Sequence, residues 1–136
     1  MSVRVRPASL QDGVAVLALL EDVGYYPEPI SFAQTYRKTL TSPLFLVRVA
    51  VDDDGKIVGM ATLSLRYQLG LGGLLACLDE LAIAPGHKHA EKPLLQATVG
   101  KARSLGARRV ITRVNEGTPP PRAAQLAAAA QLAKSA

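Results

Sequence analysis

The stretch from Leu78 to Ala107, LDELAIAPGHKHAEKPLLQATVGKARSLGA, limits what this chain can fold into more than any other. It predicts a buried strand, a sharp break at Pro85-Gly86, a short basic loop and an amphipathic helix. A strand that enters a helix through a tight loop often holds an anion, because the loop N–H groups and the first helical turn carry partial positive charge. This loop has no glycine after Gly86, although glycine is the residue that lets a backbone wrap closely around phosphate.

The rest of the chain also divides into strand and helix patterns with short breaks between them. In chain order these predict a strand at 3–6, helices at 10–23 and 31–40, strands at 44–51, 57–65 and 74–84, a helix from Pro93, a strand at 108–114 and a last Ala/Gln-rich helix. An Asp-Gly turn at 52–55 joins two of these strands as a hairpin. The order β-α-α-β-β-β-α-β-α, a meander followed by a β-α-β crossover, predicts an α+β fold with a mixed sheet.

The composition indicates one soluble domain, residues 1–136, with a Pro- and Ala-rich segment at 117–136. Hydrophobic residues make up 49% of the chain and charged residues 20%, which is typical of a globular protein. No apolar run is long enough to span a membrane, and the N-terminus lacks the apolar core of a signal peptide. The only cysteine, Cys77, lies in an apolar strand, so we expect a cytoplasmic protein with no membrane partner.

The net charge of +5 favours an anionic partner, but the 16 Lys and Arg residues are scattered along the chain. Only Arg108, Arg109 and Arg113 cluster, around a predicted strand. Aromatic residues make up 4% of the chain and include no Trp, so few side chains could stack on the bases of a nucleic acid. Nucleic acid is therefore the weakest hypothesis, and its signature would be an affinity for generic DNA or RNA that falls steeply with salt.

Four stretches carry a resemblance to a known family. They are VRVRPASLQDGVAVLALLEDVGY, DDDGKIVGMATLSLR, LDELAIAP and LLQATVGKARSLGARRVITRV. In this order they resemble the first strand and helix, the second hairpin, the fourth strand, and the third helix and fifth strand of the GNAT superfamily of N-acetyltransferases. The resemblance covers residues 3–115 and implies a GNAT-like mixed sheet. It also implies direct transfer of an acetyl group from acetyl-CoA to an amine of a small molecule or peptide, without an acyl-enzyme.

The same resemblance implies where acetyl-CoA would bind. In the family, the fourth strand splays from the fifth, and the pantetheine arm of the cofactor lies in the gap. Carried over to this sequence, the strand residues that pair with pantetheine amides are Leu81, Ala82 and Ile83. The loop residues that face the pyrophosphate are His87, Lys88, His89, Ala90 and Lys92, with the two lysines and the helix N-terminus supplying favourable charge.

The sequence departs from the family pattern in the loop and near its end. The loop GHKHAEKP is about two residues short of that pattern, and Pro93 removes an N–H donor. Ala127 stands where the family's last helix has an acid tyrosine, and the two closing strands of the family are missing. These departures keep a second hypothesis open, a catalytically impaired GNAT-like module that binds a partner. Without closing strands, the strand at 108–114 would be an exposed edge, so we expect a homodimer that covers this edge or the last helix.

Acetyl transfer also needs a base, because an ammonium that titrates near about pH 10 must lose a proton before it attacks a thioester. The resemblance implies that Glu80, on the fourth strand, is this base. Strand alternation would direct Asp79 to the opposite face. An ion pair with an arginine on a solvated face is the alternative for either carboxylate. Tyr25 and Tyr26 precede the second helix, where acceptor pockets of the family often form, and we expect them to line the substrate pocket.

Two further motifs have a functional and a structural interpretation. The pattern His87-x-His89 with Glu91 could place metal ligands on one side of an extended loop. Without a second ligand cluster, an ordinary polar loop is the better interpretation, and we expect no metal site. Cys77 could act as a nucleophile, but it has no assigned base and lies in an apolar strand. A buried structural cysteine is the better interpretation.

Overall fold

A five-stranded sheet forms the centre of the protein in a computed structural model that describes residues 2–112. The strands are β1 Arg4–Pro7, β2 Phe45–Val51, β3 Ile57–Gln68, β4 Gly73–Ile83 and β5 Ala107–Thr112. Their order across the sheet is β1-β2-β3-β4-β5, with β1 to β4 antiparallel and β5 parallel to β4. The α+β fold and mixed sheet expected from the sequence are confirmed. The predicted last helix, Ala127, the segment 117–136 and the missing closing strands fall outside the described residues.

Three helices cover both faces of the sheet. They are α1 Gly13–Asp22, α2 Pro29–Thr41 and α3 Glu91–Ser104. α1 and α2 bury Val16, Leu19 and Tyr36 in one core cluster. α3 buries Leu94 and Leu95 in a second cluster against the other face. Each strand in the middle of the sheet therefore has two buried faces, which explains its long apolar runs. Among residues 2–112, no helix is long and apolar enough to cross a membrane.

The helices begin at different residues from those predicted. A 3₁₀ turn at Leu10–Asp12 precedes α1, and another at Lys88–Ala90 precedes α3. α2 begins two residues before Ser31, because the carboxylate of Glu28 accepts a hydrogen bond of 2.6 Å from the Ser31 N–H and caps the helix. Pro93 lies in the first turn of α3, where its missing N–H breaks no helical hydrogen bond.

An ion pair joins β1 to the start of α1. The guanidinium of Arg6 donates two hydrogen bonds to Asp12, of 2.7 and 3.0 Å, and the Ser9 N–H donates a third of 2.8 Å. The Arg6 contact is the main cause that lowers the pKa of Asp12 to about 2. Because the folded pKa lies below the ordinary value of 3.8, the stabilisation is complete above that value and is lost as pH falls towards 2.

We therefore expect the free energy of unfolding to fall by about 1–2 kcal/mol between about pH 4 and pH 2 through Asp12 alone. This range allows for solvent screening, since the Arg6 side chain is 44% exposed. Urea titrations of the wild type and of Asp12→Asn across this pH range measure it, and the variant should show a shallower loss. An identical acid dependence in both proteins would exclude this contribution.

Candidate active site

A cavity of about 400 Å³ lies between the sheet and the two N-terminal helices. Its described walls are Val16 and Leu20 from α1, Tyr25, Tyr26 and Pro27 from the connector, Phe32, Thr35, Tyr36 and Thr39 from α2, and Val47, Met60, Thr62 and Glu80 from the sheet. The cavity therefore brings together Glu80, Tyr25 and Tyr26, the three residues that the sequence suggested for acceptor chemistry. Their roles remain predictions.

Glu80 and Thr62 form a hydrogen-bonded pair on the sheet wall of this cavity. The Thr62 hydroxyl donates to Glu80 Oε1, and its oxygen accepts a hydrogen bond of 3.0 Å from the Glu80 backbone N–H. Burial raises the pKa of the Glu80 carboxyl; the bond from Thr62 opposes this shift, and the nearby charge of Asp79 adds to it. A carboxylate with a raised pKa binds a proton more readily, as a general base near neutral pH must.

A β-bulge directs Glu80 into the cavity. The register between β3 and β4 shifts between Thr62 and Leu63, which pair with Glu80 and Leu78. Asp79 is the extra residue, so Leu78 packs in the core under α3 while Glu80 lies on the opposite face. The sequence-based placement of Asp79 opposite Glu80 assumed that successive side chains alternate between the two faces of the strand. The bulge interrupts this alternation. Sequence analysis missed both the bulge and Thr62, because each depends on the register with a neighbouring strand.

Within residues 2–112, the pairing of β4 with β5 involves the segment of β4 that precedes the bulge. It runs from Leu74, opposite Ala107, to Leu78, opposite Thr112. Beyond the bulge, residues 79–83 pair with β3, and within residues 2–112 no strand lies on their other side. This segment contains Leu81, Ala82 and Ile83, the residues expected to pair with pantetheine. A strand edge next to a bulge has the backbone donors and acceptors that an amide-containing arm needs.

Three of the six backbone N–H groups at 87–92 donate hydrogen bonds to nearby carbonyls. The His87 N–H donates to the Ala84 carbonyl at 3.0 Å, and the Ala90 N–H donates to the His87 carbonyl at 2.9 Å. The Glu91 N–H donates to the Lys88 carbonyl. Since Pro93 has no N–H, the start of α3 offers an anion fewer donors than an ordinary helix N-terminus. The side chain of Ala90, which was expected to face the pyrophosphate, is fully buried.

Side chains supply the positive charge that the loop backbone lacks. Lys88 and Lys92 are both exposed; Lys88 begins the 3₁₀ turn and Lys92 lies in the first turn of α3. Their ammonium groups can approach a pyrophosphate from solvent as point charges. The residues present therefore fit coenzyme A through a strand edge for pantetheine and lysine side chains for phosphate.

The other candidate residues named from the sequence are the two loop histidines and Cys77. The rings of His87 and His89 are 5.6 Å apart between centroids, and His87 Nδ1 lies 3.1 Å from the Pro85 carbonyl oxygen. In the described part of the chain, no group of three or more His, Cys, Asp or Glu residues could hold a metal ion. Cys77 is buried in β4.

Tyr36 lines the cavity but holds its proton firmly. Its hydroxyl donates a hydrogen bond of 2.7 Å to the Ser9 carbonyl. Burial, followed by the charge of Asp12, raises the pKa of Tyr36 to about 12. Phe32 stacks on its ring with 5.4 Å between centroids. Tyr36 therefore acts as a wall of the cavity, and its hydroxyl links α2 to the start of the first helix.

Comparisons with known proteins identify the fold. The family model described as Acetyltransferase (GNAT) family matches residues 14–123. The aminoglycoside antibiotic 6'-N-acetyltransferase AAC(6')-Ih from Acinetobacter baumannii is 19% identical, with a TM-score of 0.76 over 94% of this chain and 89% of that chain. An aminoglycoside acetyltransferase from an uncultured soil metagenomic sample is 21% identical, with a TM-score of 0.73 over 95% and 87%.

Glucosamine-6-phosphate N-acetyltransferase from Arabidopsis thaliana is a third solved structure of similar fold, with a TM-score of 0.72. It is 13% identical over 85% of this chain and 84% of that chain. A comparison with curated proteins finds no match. The segment matched by the family model includes the bulged strand β4, the loop and α3. The chain belongs to the GNAT family of acetyltransferases.

Proposed function

We propose that this protein is an acetyl-CoA-dependent N-acetyltransferase that transfers the acetyl group directly to the amine of a small molecule bound in the cavity. The observation that carries the proposal is Glu80, a half-buried carboxylate with a raised pKa that the bulge in β4 directs into the cavity. Structures of the same fold include acetyltransferases named for aminoglycosides and for glucosamine-6-phosphate. Those names support a small-molecule amine over a peptide.

The proposed chemistry assigns proton transfer to Glu80. Acetyl-CoA supplies, when bound, a thioester carbonyl carbon. Glu80 takes one proton from the substrate ammonium, directly or through a water, and so leaves a neutral amine that can attack this carbon. A C–N bond forms, and the C–S bond breaks with its electron pair on sulfur. The second amine proton goes to that sulfur, so the products are an amide and a thiol, and Glu80 returns its proton to solvent.

A binding module without catalysis is the second candidate function. The hydrogen bonds already made by the N–H groups of His87, Ala90 and Glu91 favour it, as does the absence of an N–H at Pro93. Calorimetric titration with acetyl-CoA, followed by an assay of thiol release with a panel of amines, decides between the two functions. Micromolar binding with thiol release supports the transferase. The absence of binding at millimolar acetyl-CoA would leave the binding module.

We expect the double variant Lys88→Ala/Lys92→Ala to weaken acetyl-CoA binding by about tenfold. The two ammonium groups replace the missing backbone donors, and because they are exposed their effect should shrink as salt rises. Calorimetry at low and at high salt measures this change. Lys38→Ala/Lys56→Ala is the matched control, since both lysines are exposed and lie outside the loop. Equal losses in the two double variants would contradict a phosphate site at the loop.

We also propose a cytoplasmic homodimer in which a second copy covers the outer edge of β5. Within residues 2–112, β5 pairs with β4 alone, and its residues Val110 and Ile111 are half-buried and apolar. The other edge strand, β1, is short and ends in Pro7, which discourages pairing. Light scattering at micromolar concentration should give the mass of a dimer, and a monomer mass would contradict this proposal.

A further inference from the structure

The aromatic residues of the chain are concentrated in the cavity. The sequence contains four Tyr, two Phe and no Trp. Four of these six aromatic residues line the cavity, namely Tyr25, Tyr26, Phe32 and Tyr36. They come from the connector and from α2, so they form a wall opposite the sheet. In a chain so poor in aromatics, this concentration points to a ligand with a flat or apolar surface.

The charge of the cavity is equally restricted. Of the described residues that line it, Glu80 alone carries a formal charge. The other polar side chains from the sheet and α2 are neutral, namely Thr35, Thr39, Thr62 and Tyr36. A single carboxylate can compensate one ammonium group. A second ammonium group would lose its hydration on entering the cavity and would find no carboxylate there. Its burial would therefore cost free energy.

The two ends of the cavity differ in exposure to solvent. Glu80 lies on the sheet, and the Thr62 hydroxyl that bonds it is buried within the same wall. Tyr26 lies at the mouth and is 78% exposed. A ligand whose ammonium reaches Glu80 therefore places the rest of its body between the aromatic wall and the mouth. There Tyr25 and Phe32 can contact a ring.

We infer that the acceptor is a primary monoamine on a short arm that carries an aryl or similarly compact apolar group, an arylalkylamine in chemical class. This inference rests on the proposed acetyl transfer and narrows its substrate. The ammonium binds at Glu80, and the ring packs against Phe32 and Tyr25 under Tyr26. Polyamines and aminoglycosides, which carry several ammonium groups, fit the cavity poorly.

The test compares 2-phenylethylamine, spermidine and kanamycin as acceptors with the full-length protein and acetyl-CoA. We expect kcat/KM for 2-phenylethylamine to exceed that of either polycation by at least about tenfold. Calorimetric binding of each amine to the protein is measured separately, without acetyl-CoA. Faster acetylation of kanamycin or spermidine would overturn the inference and leave the proposed function in place. Binding of 2-phenylethylamine without any acetylation would support this class of ligand for the cavity, and it would overturn the proposed function and the role of the amine as acceptor.

Two exposed tyrosines provide a matched pair of variants. Tyr26 is 78% exposed at the mouth of the cavity, and Tyr67 is 82% exposed near the end of β3 and lines no part of it. Tyr26→Ala should raise KM for 2-phenylethylamine by about threefold to tenfold, with KM for acetyl-CoA unchanged. Tyr67→Ala should change neither constant. Failure of 2-phenylethylamine to bind, or an equal effect of both variants on its KM, would overturn the inference.

Discussion

Replacement of Glu80 by Gln lowers kcat for acetyl transfer by about 10²–10³-fold, while the affinity for acetyl-CoA changes by less than about twofold. Gln has the shape of Glu and can still accept the hydrogen bond from Thr62. It cannot accept a proton from the substrate ammonium. The variant should therefore keep the cavity and its stability and lose the base. Steady-state kinetics and calorimetry on the same protein sample measure the two effects.

The pH dependence of the rate is a second measurement of the effect of Glu80→Gln. Because burial raises the pKa of Glu80, kcat/KM of the wild type should climb with pH through a value above that of an ordinary glutamate. Below this value the carboxyl is protonated and cannot act as a base. This acid limb should be absent from the residual activity of Glu80→Gln. Glu21→Gln, which removes an exposed carboxylate of α1 outside the cavity, is the control and should keep the limb.

An unchanged kcat in Glu80→Gln would show that the substrate ammonium loses its proton to solvent or to another group. Equal losses in Glu80→Gln and in the control would show a general effect of charge. Loss of acetyl-CoA affinity together with kcat would indicate that Glu80 holds the bulge and the strand edge. Each of these results would show that Glu80 is not the base of the proposed mechanism. The family assignment would be unaffected.

Elements that depend on local chemistry could be predicted from the sequence. The turn between β2 and β3 is an example, because Asp52 accepts hydrogen bonds of 2.9 Å from the N–H groups of Asp54 and Lys56. Gly55 supplies the positive φ of 82° that the turn needs. All of these groups lie within five residues, so the Asp-Gly pattern alone indicates the hairpin. The helix predicted at 10–23 followed in the same way from apolar spacing.

The geometry of the site depends on contacts that the sequence does not encode locally. The pairing of Thr62 with Glu80 joins residues 18 apart, and it requires the bulge that shifts the register by one position. Period-two reasoning assumes that no such residue is inserted. The wall formed by Phe32 and Tyr36 also requires α2 to pack on the sheet next to Met60. For these residues, the resemblance to a family could suggest the location of a pocket but could not identify its members.

The packing of α3 on the sheet depends on a contact between a leucine and a glycine. Leu94 is 0% exposed in the first turn of α3. A Cβ added to Gly59 on β3 would lie 3.3 Å from Leu94 Cδ2 and 3.0 Å from Ile83 Cδ1. The glycine therefore leaves space that these two side chains fill. Because of this close approach, a larger side chain at position 59 and a smaller side chain at position 94 should both destabilise the protein.

We expect Leu94→Ala to lower the free energy of unfolding by about 2–5 kcal/mol, because it leaves a cavity under α3. Gly59→Ala should cost about 1–3 kcal/mol, because the new methyl group crowds Ile83 and Leu94. In the double variant Ile83 can move into the space left by Leu94. The combined loss should then be smaller than the sum of the two by about 1 kcal/mol. Urea titrations of the four proteins measure this coupling.

Leu19→Ala provides the control cycle, since Leu19 is 4% exposed and belongs to the core cluster on the opposite face of the sheet. Its loss should add to that of Gly59→Ala without coupling. If the losses in free energy of unfolding are additive in both cycles, the sheet accommodates the new methyl group at residue 59 without movement of side chains into the space under α3. Because Leu94 lies two residues after the loop at 87–92, acetyl-CoA affinity should fall in Leu94→Ala and stay unchanged in Leu19→Ala. That difference would show that packing beneath α3 holds the lysines of the loop in position.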